Sequence, residues 1–434
     1  MKVWSALLLI AALITMGAVA QTPPSTDRTL TIVNQCPAQT LNVGAIGGFV
    51  QNCGAAPGYE CPTGTQCNTS RSPAPGCFWA LPSATSGTSV LGTGQSVVYT
   101  LTAPPISETV PIPGGGTQTI QVKWSGSVFA ATGCDANGQN CATGMCNLKG
   151  KPVVCSTPGV APFPGPLSAA EFTFAPFGPD YYDITVINGM NVPVSMAPAS
   201  VTSQSGSNAY FCQTPGSITA SGTGLQACNW TVSPSSSQAP IMAAVTSSGT
   251  ACPKTGSCPG GQTCGLSPAF GTTTLTQTCG TQIGWWTPDE ICAFTGNGYG
   301  APINCSANVS LYECVGTNAT SCYNSAADST CCGCPSWKIN GKPLQTEMTC
   351  VSTNPQWTKL SLPWLSPLKS ACPTVYTFPF DDATSLFTCN TANASTASPN
   401  TMNYTITFCP GGKTGLPAAA SAEAKPRRRM RKGA

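Results

Sequence analysis

The amino-acid sequence predicts an all-β protein in which two antiparallel sheets pack as a sandwich stapled by disulfides. Apolar residues alternate at period two in short segments, as Leu30 and Ile32 do and as Val97, Tyr99 and Leu101 do, whereas helical periodicity is hard to find. The chain has 45 glycines and 40 prolines to punctuate such strands and 26 cysteines to cross-link them. Together these features favour a two-sheet sandwich over a helical fold.

Each predicted strand shows one apolar face. Besides the two segments above, the same alternation occurs in two further sets of residues, which are Ile120, Val122 and Trp124, and Tyr404, Ile406 and Phe408. These segments are predicted to be half-buried strands. A single β domain with a loop-rich annex accounts for the chain length, so a second independent core is not required.

The first 20 residues are predicted to be a secretory signal peptide. Lys2 precedes an apolar run over 7–14, and small residues at Ala18 and Ala20 predict cleavage before Gln21. An uncleaved membrane anchor is the alternative, which the shortness of the apolar run disfavours. No later segment is apolar enough to cross a bilayer. We therefore expect a soluble protein, extracellular or in the cell wall, without a transmembrane segment in the mature chain.

All 26 cysteines follow the predicted cleavage site, and their even number and density indicate an oxidised framework. Structural zinc is the competing use of cysteine. The chain contains no histidine, however, and only the cluster of Cys331, Cys332 and Cys334 has close metal-ligand spacing. We expect neither a metal nor a cofactor. Seven N-x-S/T sequons agree with passage through a glycosylating compartment, namely Asn68, Asn229, Asn304, Asn308, Asn318, Asn393 and Asn403.

The formal charge of +3 conceals two parts of opposite sign. A basic run closes the chain between Lys425 and Lys432, whereas the segment from Gln21 to Gly415 has 11 Lys and Arg against 14 Asp and Glu. So sparse and mildly acidic a body excludes electrostatic binding of nucleic acid. The basic tail is a solvated or removable sorting extension, or else a contact for an anionic wall polymer or membrane surface.

The stretch from Val201 to Cys350 differs in composition from the rest. It contains 14 of the 26 cysteines, many Ser, Thr, Gly and Asn residues, and few alternating runs. Such a segment is expected to bury little apolar area and to depend on cross-links for its order. We interpret it as a disulfide-held lobe.

Six segments, taken in order, resemble the thaumatin-like family. They are Thr29–Pro37, Trp124–Cys134, Ala169–Phe174, Asp180–Val194, Cys372–Cys389 and Asn403–Pro410. The resemblance fades across 48–94 and over most of 201–350. It implies a β-sandwich over about 28–132, 167–200 and 372–410, a small loop domain over 133–166 and a disulfide-rich lobe over 201–371. Residues 411–434 are predicted to be a disordered tail.

The resemblance also implies a disulfide between Cys36 and Cys409, which joins the first and last strands. Further cysteines expected in disulfides are Cys134, Cys141, Cys146, Cys155, Cys212, Cys331, Cys332, Cys334, Cys372 and Cys389. Family members have fewer cysteines than this chain. The extra cysteines fall mainly in 48–94 and 201–350, so the pairing in these two regions cannot be carried over.

Carboxylates are the remaining candidates for catalytic groups, because the chain has no histidine and no predicted free thiol. The resemblance implies an acidic cleft that binds β-1,3-glucan and in some members hydrolyses it. Its carboxylates fall on Glu171, Asp183 and Asp381. Its arginine position holds Ser127, and the aspartate of its Asp-Gly turn holds Asn188.

Strand parity turns Glu171 away from Phe172 and Phe174, and turns Asp183 away from Ile184 and Val186. Both carboxyls are therefore expected to face the cleft. Replacing the arginine by Ser127 removes the partner that would orient a carboxylate or lower its pKa.

Three functions follow as hypotheses. The first is a monomeric, secreted defence or wall-associated protein, antifungal in type, that binds cell-wall β-1,3-glucan. The second is a weak endo-β-1,3-glucanase that uses Glu171 and Asp183 as its catalytic pair. The third is a structural extracellular protein with an inactive cleft. The adjacent Trp285 and Trp286 are predicted to form a small core of the lobe, with sugar stacking as the alternative.

Overall fold

A computed structural model of the chain confirms the predicted all-β sandwich class. The structure describes residues 27–54, 61–62, 64–69, 75–101, 108–111, 116–120, 124–148, 151–155, 165–199, 208–220, 224–254, 257–268, 274–294, 303–314, 332, 337–339, 342–343, 354–391 and 399–417. Its strands belong to two large sheets and several small ones. The helices are short and lie mainly in the second half of the chain.

The strands in chain order are β1 Arg28–Asn34, β2 Leu41–Gly47, β3 Phe49–Asn52, β4 Thr65–Asn68, β5 Gly76–Trp79, β6 Val90–Leu91, β7 Ser96–Leu101, β8 Glu108–Pro111, β9 Thr117–Ile120, β10 Trp124–Thr132, β11 Met145–Leu148, β12 Lys151–Val154, β13 Ala169–Phe174, β14 Asp180–Thr185, β15 Val194–Pro198, β16 Ala243–Ala251, β17 Thr263–Pro268, β18 Leu275–Trp285, β19 Lys338–Ile339, β20 Lys342–Pro343, β21 Phe387–Cys389 and β22 Tyr404–Phe408. The α-helices are α1 Ala239–Met242, α2 Pro288–Cys292, α3 Cys305–Tyr312, α4 Pro355–Leu360, α5 Leu362–Ala371 and α6 Asp382–Ser385.

The first sheet of the sandwich brings the two ends of the chain together. Its order is β15-β22-β1-β7. Strand β1 pairs in parallel with β22, so that Ile32 lies beside Ile406, and it pairs antiparallel with β7. Leu30 and Ile32 are fully buried, as the alternating pattern predicts.

The second sheet has six strands in the order β21-β14-β13-β10-β2-β6, and all its pairs are antiparallel. One of its faces packs into the core, where the rings of Trp124, Phe172, Phe174 and Tyr404 stack in succession. The opposite face is solvent-accessible around Ser127 and Glu171, whereas further along it Phe129 and Ala169 are buried in a small second core cluster. The open part of this face is where the candidate site lies.

One predicted strand is wrong as a single element. The alternation of Ile120, Val122 and Trp124 suggested continuity, but Ile120 ends β9 in a hairpin with β8, whereas Trp124 begins β10 in the six-stranded sheet. Val122 lies outside the described residues. Periodicity alone does not show where a chain leaves one sheet for another.

The cysteine-rich lobe has more apolar core than its composition suggested. Strands β16, β17 and β18 pair with one another in a closed arrangement. Their residues Val245, Leu266 and Leu275 are completely buried. Trp285 and Trp286 are also buried, and their indole N–H groups donate to the backbone oxygens of Gly415 and Leu266. The two tryptophans are therefore core residues and present no face to a sugar.

The ordered body extends beyond the predicted start of the tail at residue 411. Gly415 accepts the hydrogen bond from Trp285, at 2.7 Å, and Leu416 packs against the main core. The boundary predicted from the Gly-rich composition is thus too early, and the described chain ends at residue 417. The basic run beyond it lies outside the described residues.

Disulfides link all the cysteines that the structure describes. Cys36 joins Cys409, the pair implied by the resemblance, and Cys212–Cys389 and Cys228–Cys372 attach the lobe to the sandwich. The remaining pairs are local, namely Cys53–Cys67, Cys61–Cys77, Cys134–Cys141, Cys146–Cys155, Cys252–Cys264, Cys258–Cys279, Cys292–Cys305 and Cys314–Cys332. Cys331 and Cys334 lie outside the described residues.

Candidate functional site

A pocket opens on the solvent face of the six-stranded sheet. It has a volume of about 420 Å³, within the range of small-molecule sites. Its lining residues are Ile46, Gly47, Gly48, Ser125, Gly126, Ser127, Glu171, Phe172, Thr173, Tyr181, Asp183 and Leu386. They come from β2, β10, β13 and β14 and from the segments beside β3 and β21.

The two carboxylates predicted for the cleft are direct cross-strand neighbours. Glu171 on β13 is paired with Asp183 on β14, and on its other side it is paired with Ser127 on β10. Directly opposed residues on one face of a sheet have Cβ atoms about 4.5–5.5 Å apart. Ser127, Glu171 and Asp183 therefore form one row across three strands, and all three line the pocket.

A second row of polar side chains runs parallel to the first, two residues along each strand. Ser125 is paired with Thr173, and Thr173 is paired with Tyr181. The hydroxyls of Ser125 and Thr173 lie 3.2 Å apart, and the Tyr181 side chain is 45% exposed. Strand parity places these residues on the same face as the carboxylates, so the sequence itself contains the signal that would identify them.

Close backbone packing shapes one end of the pocket. A Cβ on Gly47 would lie 1.4 Å from the backbone oxygen of Trp79, so that only glycine fits where β5 approaches β2. Trp79 in turn donates its backbone N–H to the oxygen of Gly48. The small sheet of β3, β5 and β4, which two local disulfides cross-link, is thereby attached beside the pocket.

The surroundings of the carboxylates favour their protonated forms. Glu171 is accessible from the pocket, yet the protein around its carboxyl removes solvent and raises its pKa. The pKa of Asp183 is raised well above its usual range, mainly by burial and then by the charges of Glu171 and Asp382. Two anions that share a site without a cation resist being ionised together.

One oxygen of the pair has unused bonding capacity. Oδ1 of Asp183 is buried and has no hydrogen-bond partner within the described part of the chain. A buried acceptor without a donor is costly, so this oxygen is an unsatisfied atom of a residue that lines the pocket.

Asp381 does not belong to the pocket, contrary to the assignment carried over from the resemblance. It is buried and lies 2.7 Å from the ammonium of the equally buried Lys369. Trp337, Thr377 and Thr384 also donate to its carboxylate. These partners make Asp381 a structural anion, whereas the neighbouring Asp382 is exposed and its charge acts on Asp183.

Asn188 also lies outside the pocket lining. It is exposed in the turn after β14, where its backbone oxygen accepts the N–H of Leu167. Gly189 follows with φ of +81°, as the Asn-Gly sequence suggests for a tight turn. Three of the five predicted cleft residues thus line one pocket, and Asp381 and Asn188 do not.

No described cluster of metal-ligating groups has free thiols. Cys53, Cys61 and Cys67 form one close group of sulfurs, and Cys252, Cys258 and Cys279 form another. All of them are disulfide-bonded. They are therefore not available as thiolate ligands.

The predicted glycosylation sites differ in exposure. Asn229 and Asn304 are exposed, Asn308 and Asn403 are partly buried, and Asn68 is 6% exposed within β4. Asn318 and Asn393 lie outside the described residues. Attachment of a glycan is thus sterically easiest at Asn229 and Asn304.

The fold and pocket define a class of protein, a disulfide-linked β-sandwich with an acidic pocket on one sheet. Sequence comparison agrees, since the family model described as the Thaumatin family matches residues 99–252. The chain is thus similar to the thaumatin-like family in sequence. Within the described residues, no helix is long and apolar enough to span a bilayer.

Curated relatives cover much of the chain. It is 28% identical over 328 residues to pathogenesis-related thaumatin-like protein 3.5 of Cryptomeria japonica, covering 75% of this chain and 82% of the relative. It is 27% identical over 309 residues to thaumatin-like protein 1 of Arabidopsis thaliana, covering 68% and 73%. A shorter match, 41% identical over 81 residues, covers 18% of this chain and 31% of a glucan endo-1,3-beta-glucosidase of Prunus avium.

Proposed function

We propose that this protein is a secreted thaumatin-like protein of the defence type that binds β-1,3-glucan of cell walls in the pocket on its six-stranded sheet. The observation that supports this most is the direct cross-strand pairing of Glu171 and Asp183 in the pocket lining. Carboxylate oxygens accept hydrogen bonds from sugar hydroxyls, and charge-assisted bonds of this kind are the stronger ones.

The rest of the lining suits a saccharide as well. Ser125, Ser127 and Thr173 can both donate to and accept from sugar hydroxyls. The exposed ring of Tyr181 offers an apolar face beside these hydroxyls. A flat sugar ring, apolar on its faces and polar at its edge, matches this combination.

Hydrolysis is the second candidate, favoured by the name of the Prunus avium relative, glucan endo-1,3-beta-glucosidase, and by the raised pKa of Asp183. A glycosidase needs two carboxyl groups that flank the scissile bond. Here both carboxyls rise from adjacent strands of one sheet and point the same way. They would meet a sugar from the same side, so the geometry favours binding over hydrolysis.

The proposal can be tested with insoluble and soluble β-1,3-glucan. We expect the purified protein to be retained in the insoluble pellet without release of reducing ends. The Glu171→Gln variant should lose retention by about tenfold, as expected for a charge-assisted hydrogen bond. Asp135→Asn is the control, because it removes an equal charge from an exposed loop that does not line the pocket.

Equal retention of the parent and of Glu171→Gln would contradict binding in this pocket. Release of reducing ends by the parent, abolished in Glu171→Gln, would replace binding alone by hydrolysis. No retention of the parent on any glucan would leave the structural role as the remaining hypothesis.

A further inference from the structure

The carboxylate pair in the pocket has no cation to neutralise it. Ser127 occupies the position beside Glu171, and the lining residues include no lysine or arginine. Arg28 and Lys369 are committed to buried pairs with Asp180 and Asp381. Within the described residues, nothing that lines this pocket carries positive charge.

The groups that face Asp183 increase the excess of negative charge around it. Glu171 opposes it from β13, and Asp382 on α6 adds a further negative charge. The third group is the phenol of Tyr376, which donates to Asp382 at 2.9 Å and whose own pKa is raised by burial and by Asp183. A positively charged group in the pocket would therefore be attracted by the lining carboxylates of Glu171 and Asp183, and at longer range by Asp382 outside the lining.

The unpartnered oxygen of Asp183 specifies what that group must offer. Oδ1 is buried, lacks any described donor, and belongs to a residue that lines the pocket. An ammonium carries three N–H donors, enough to reach both Asp183 and Glu171. It would satisfy the orphaned acceptor and neutralise the pair in one contact.

The other lining residues indicate which class of ligand carries the ammonium group. Ser125, Thr173 and Tyr181 form a row of hydroxyls that ends in an exposed ring, parallel to the carboxylate row. Successive side chains on one face of a strand are about 6.5–7 Å apart, so the two rows are roughly a sugar ring apart. A saccharide with an amino substituent fits both rows, whereas a lysine side chain would use only the carboxylates.

We infer that the pocket prefers a cationic saccharide, an oligomer of glucosamine with its free ammonium between Glu171 and Asp183, over an uncharged glucan. This inference rests on the proposed function, because it uses the same pocket for a wall polysaccharide. It goes beyond the proposed function by specifying that the ligand carries a positive charge. Ser127 then contributes to specificity. It leaves the carboxylate pair without a cation from the protein, and the ligand supplies that cation instead.

Calorimetric titration with oligomers of equal length tests the inference. The probes are a glucosamine oligomer, its fully N-acetylated counterpart, a β-1,3-glucan oligomer and a lysine oligomer. We expect the native protein to bind the glucosamine oligomer at least tenfold more tightly than the acetylated one. Glu171→Gln and Asp183→Asn should each reduce that preference by about tenfold, while Asp135→Asn should leave it unchanged.

The outcomes separate this inference from the proposed function. Equal affinity for the glucosamine, acetylated and glucan oligomers would overturn the preference and leave saccharide binding intact. Binding of none of the saccharides would remove both. A lysine oligomer bound as tightly as the glucosamine oligomer would overturn the assignment to a saccharide. A preference that survives in Glu171→Gln and Asp183→Asn, with both variants folded by circular dichroism, would place the cation elsewhere and overturn the site.

Discussion

Lys369 shows how a single buried charge can organise its surroundings. Its ammonium donates to the oxygen of Val375, to the carboxylate of Asp381 and to the hydroxyl of Ser385, so all three of its N–H groups are used. Burial lowers its pKa, and the nearby charge of Asp381 opposes that effect. The pair holds α5 against the segment that begins α6.

Lys369→Met should therefore destabilise the protein by about 3–5 kcal/mol, because it leaves the carboxylate of Asp381 buried without a counter-ion. Denaturant unfolding of the oxidised protein measures this difference. Lys359→Met is a matched control on the exposed surface of α4, where the change should stay within about 0.5 kcal/mol. Similar losses in both variants would show that the buried pair has no special role.

At the level of elements, α4 depends on a capped start. The side chain of Asn354 accepts hydrogen bonds from the backbone N–H groups of Gln356 and Trp357, and Pro355 takes the first helical position. The helix carries Trp357, which is completely buried against the ring of Phe378. The cap thus positions a core residue.

Asn354→Ala should lower the free energy of unfolding by about 1 kcal/mol, because two backbone N–H groups lose their acceptor. Asn354→Asp retains the acceptor and should recover most of that stability. Thermal melting of the three proteins provides the measurement. If the alanine and aspartate variants melt together below the parent, the loss comes from something other than the cap.

Strands were more predictable than helices in this chain for a physical reason. Strands β1, β7, β13, β14 and β22 each bury one face, so their period-two pattern is visible in the sequence. Helices α4 and α5 contain Pro355, Pro363 and Pro367, which read as breaks although two of them lie at helix starts. The sequence signal for the start of α4 consists only of the N-cap residue Asn354 followed by Pro355.

The site was predictable to the extent that it depends on one sheet. Parity along β13 and β14 is enough to place Glu171 and Asp183 on the open face. The adjacent Asp381 and Asp382 cannot be told apart in this way, because their environments depend on Lys369 and Tyr376 from other segments. These contacts join residues 12 and 6 positions apart in sequence, and the period-two pattern of strands does not reveal them.

Across the whole molecule, several buried carboxyls favour the protonated form. Burial raises the pKa of Asp180 to about 6, against the attraction of Arg28. Burial also raises the pKa of Asp289 to about 7, with the charge of Glu313 adding to the effect, and that of Glu290 to about 8. Between the ordinary values of 3.8 and 4.5 and these raised values, the folded protein binds more protons than the unfolded chain.

The free energy of unfolding should consequently fall as the pH rises from about 4.5 to about 8. Glu290→Gln should make this decline shallower, because glutamine keeps an oxygen for the N–H of Gly165 but does not titrate. Asp135→Asn should leave the slope unchanged, since hydrogen bonds lower the pKa of Asp135 below the interval. Unfolding midpoints across a pH series test this, and stability that rises through the interval would refute it.

The parallel pairing of β1 with β22 has a consequence for biosynthesis. The first strand leaves the ribosome long before its neighbour, since Cys36 and Cys409 are separated by 373 residues. At about 5–20 residues per second, this edge of β1 waits roughly 20–75 s for its partner. The four-stranded sheet cannot close before β22 has been made, and the open edge of β1 needs protection until then. Formation of the Cys36–Cys409 bond therefore marks the point at which β1 and β22 have met in a newly made chain.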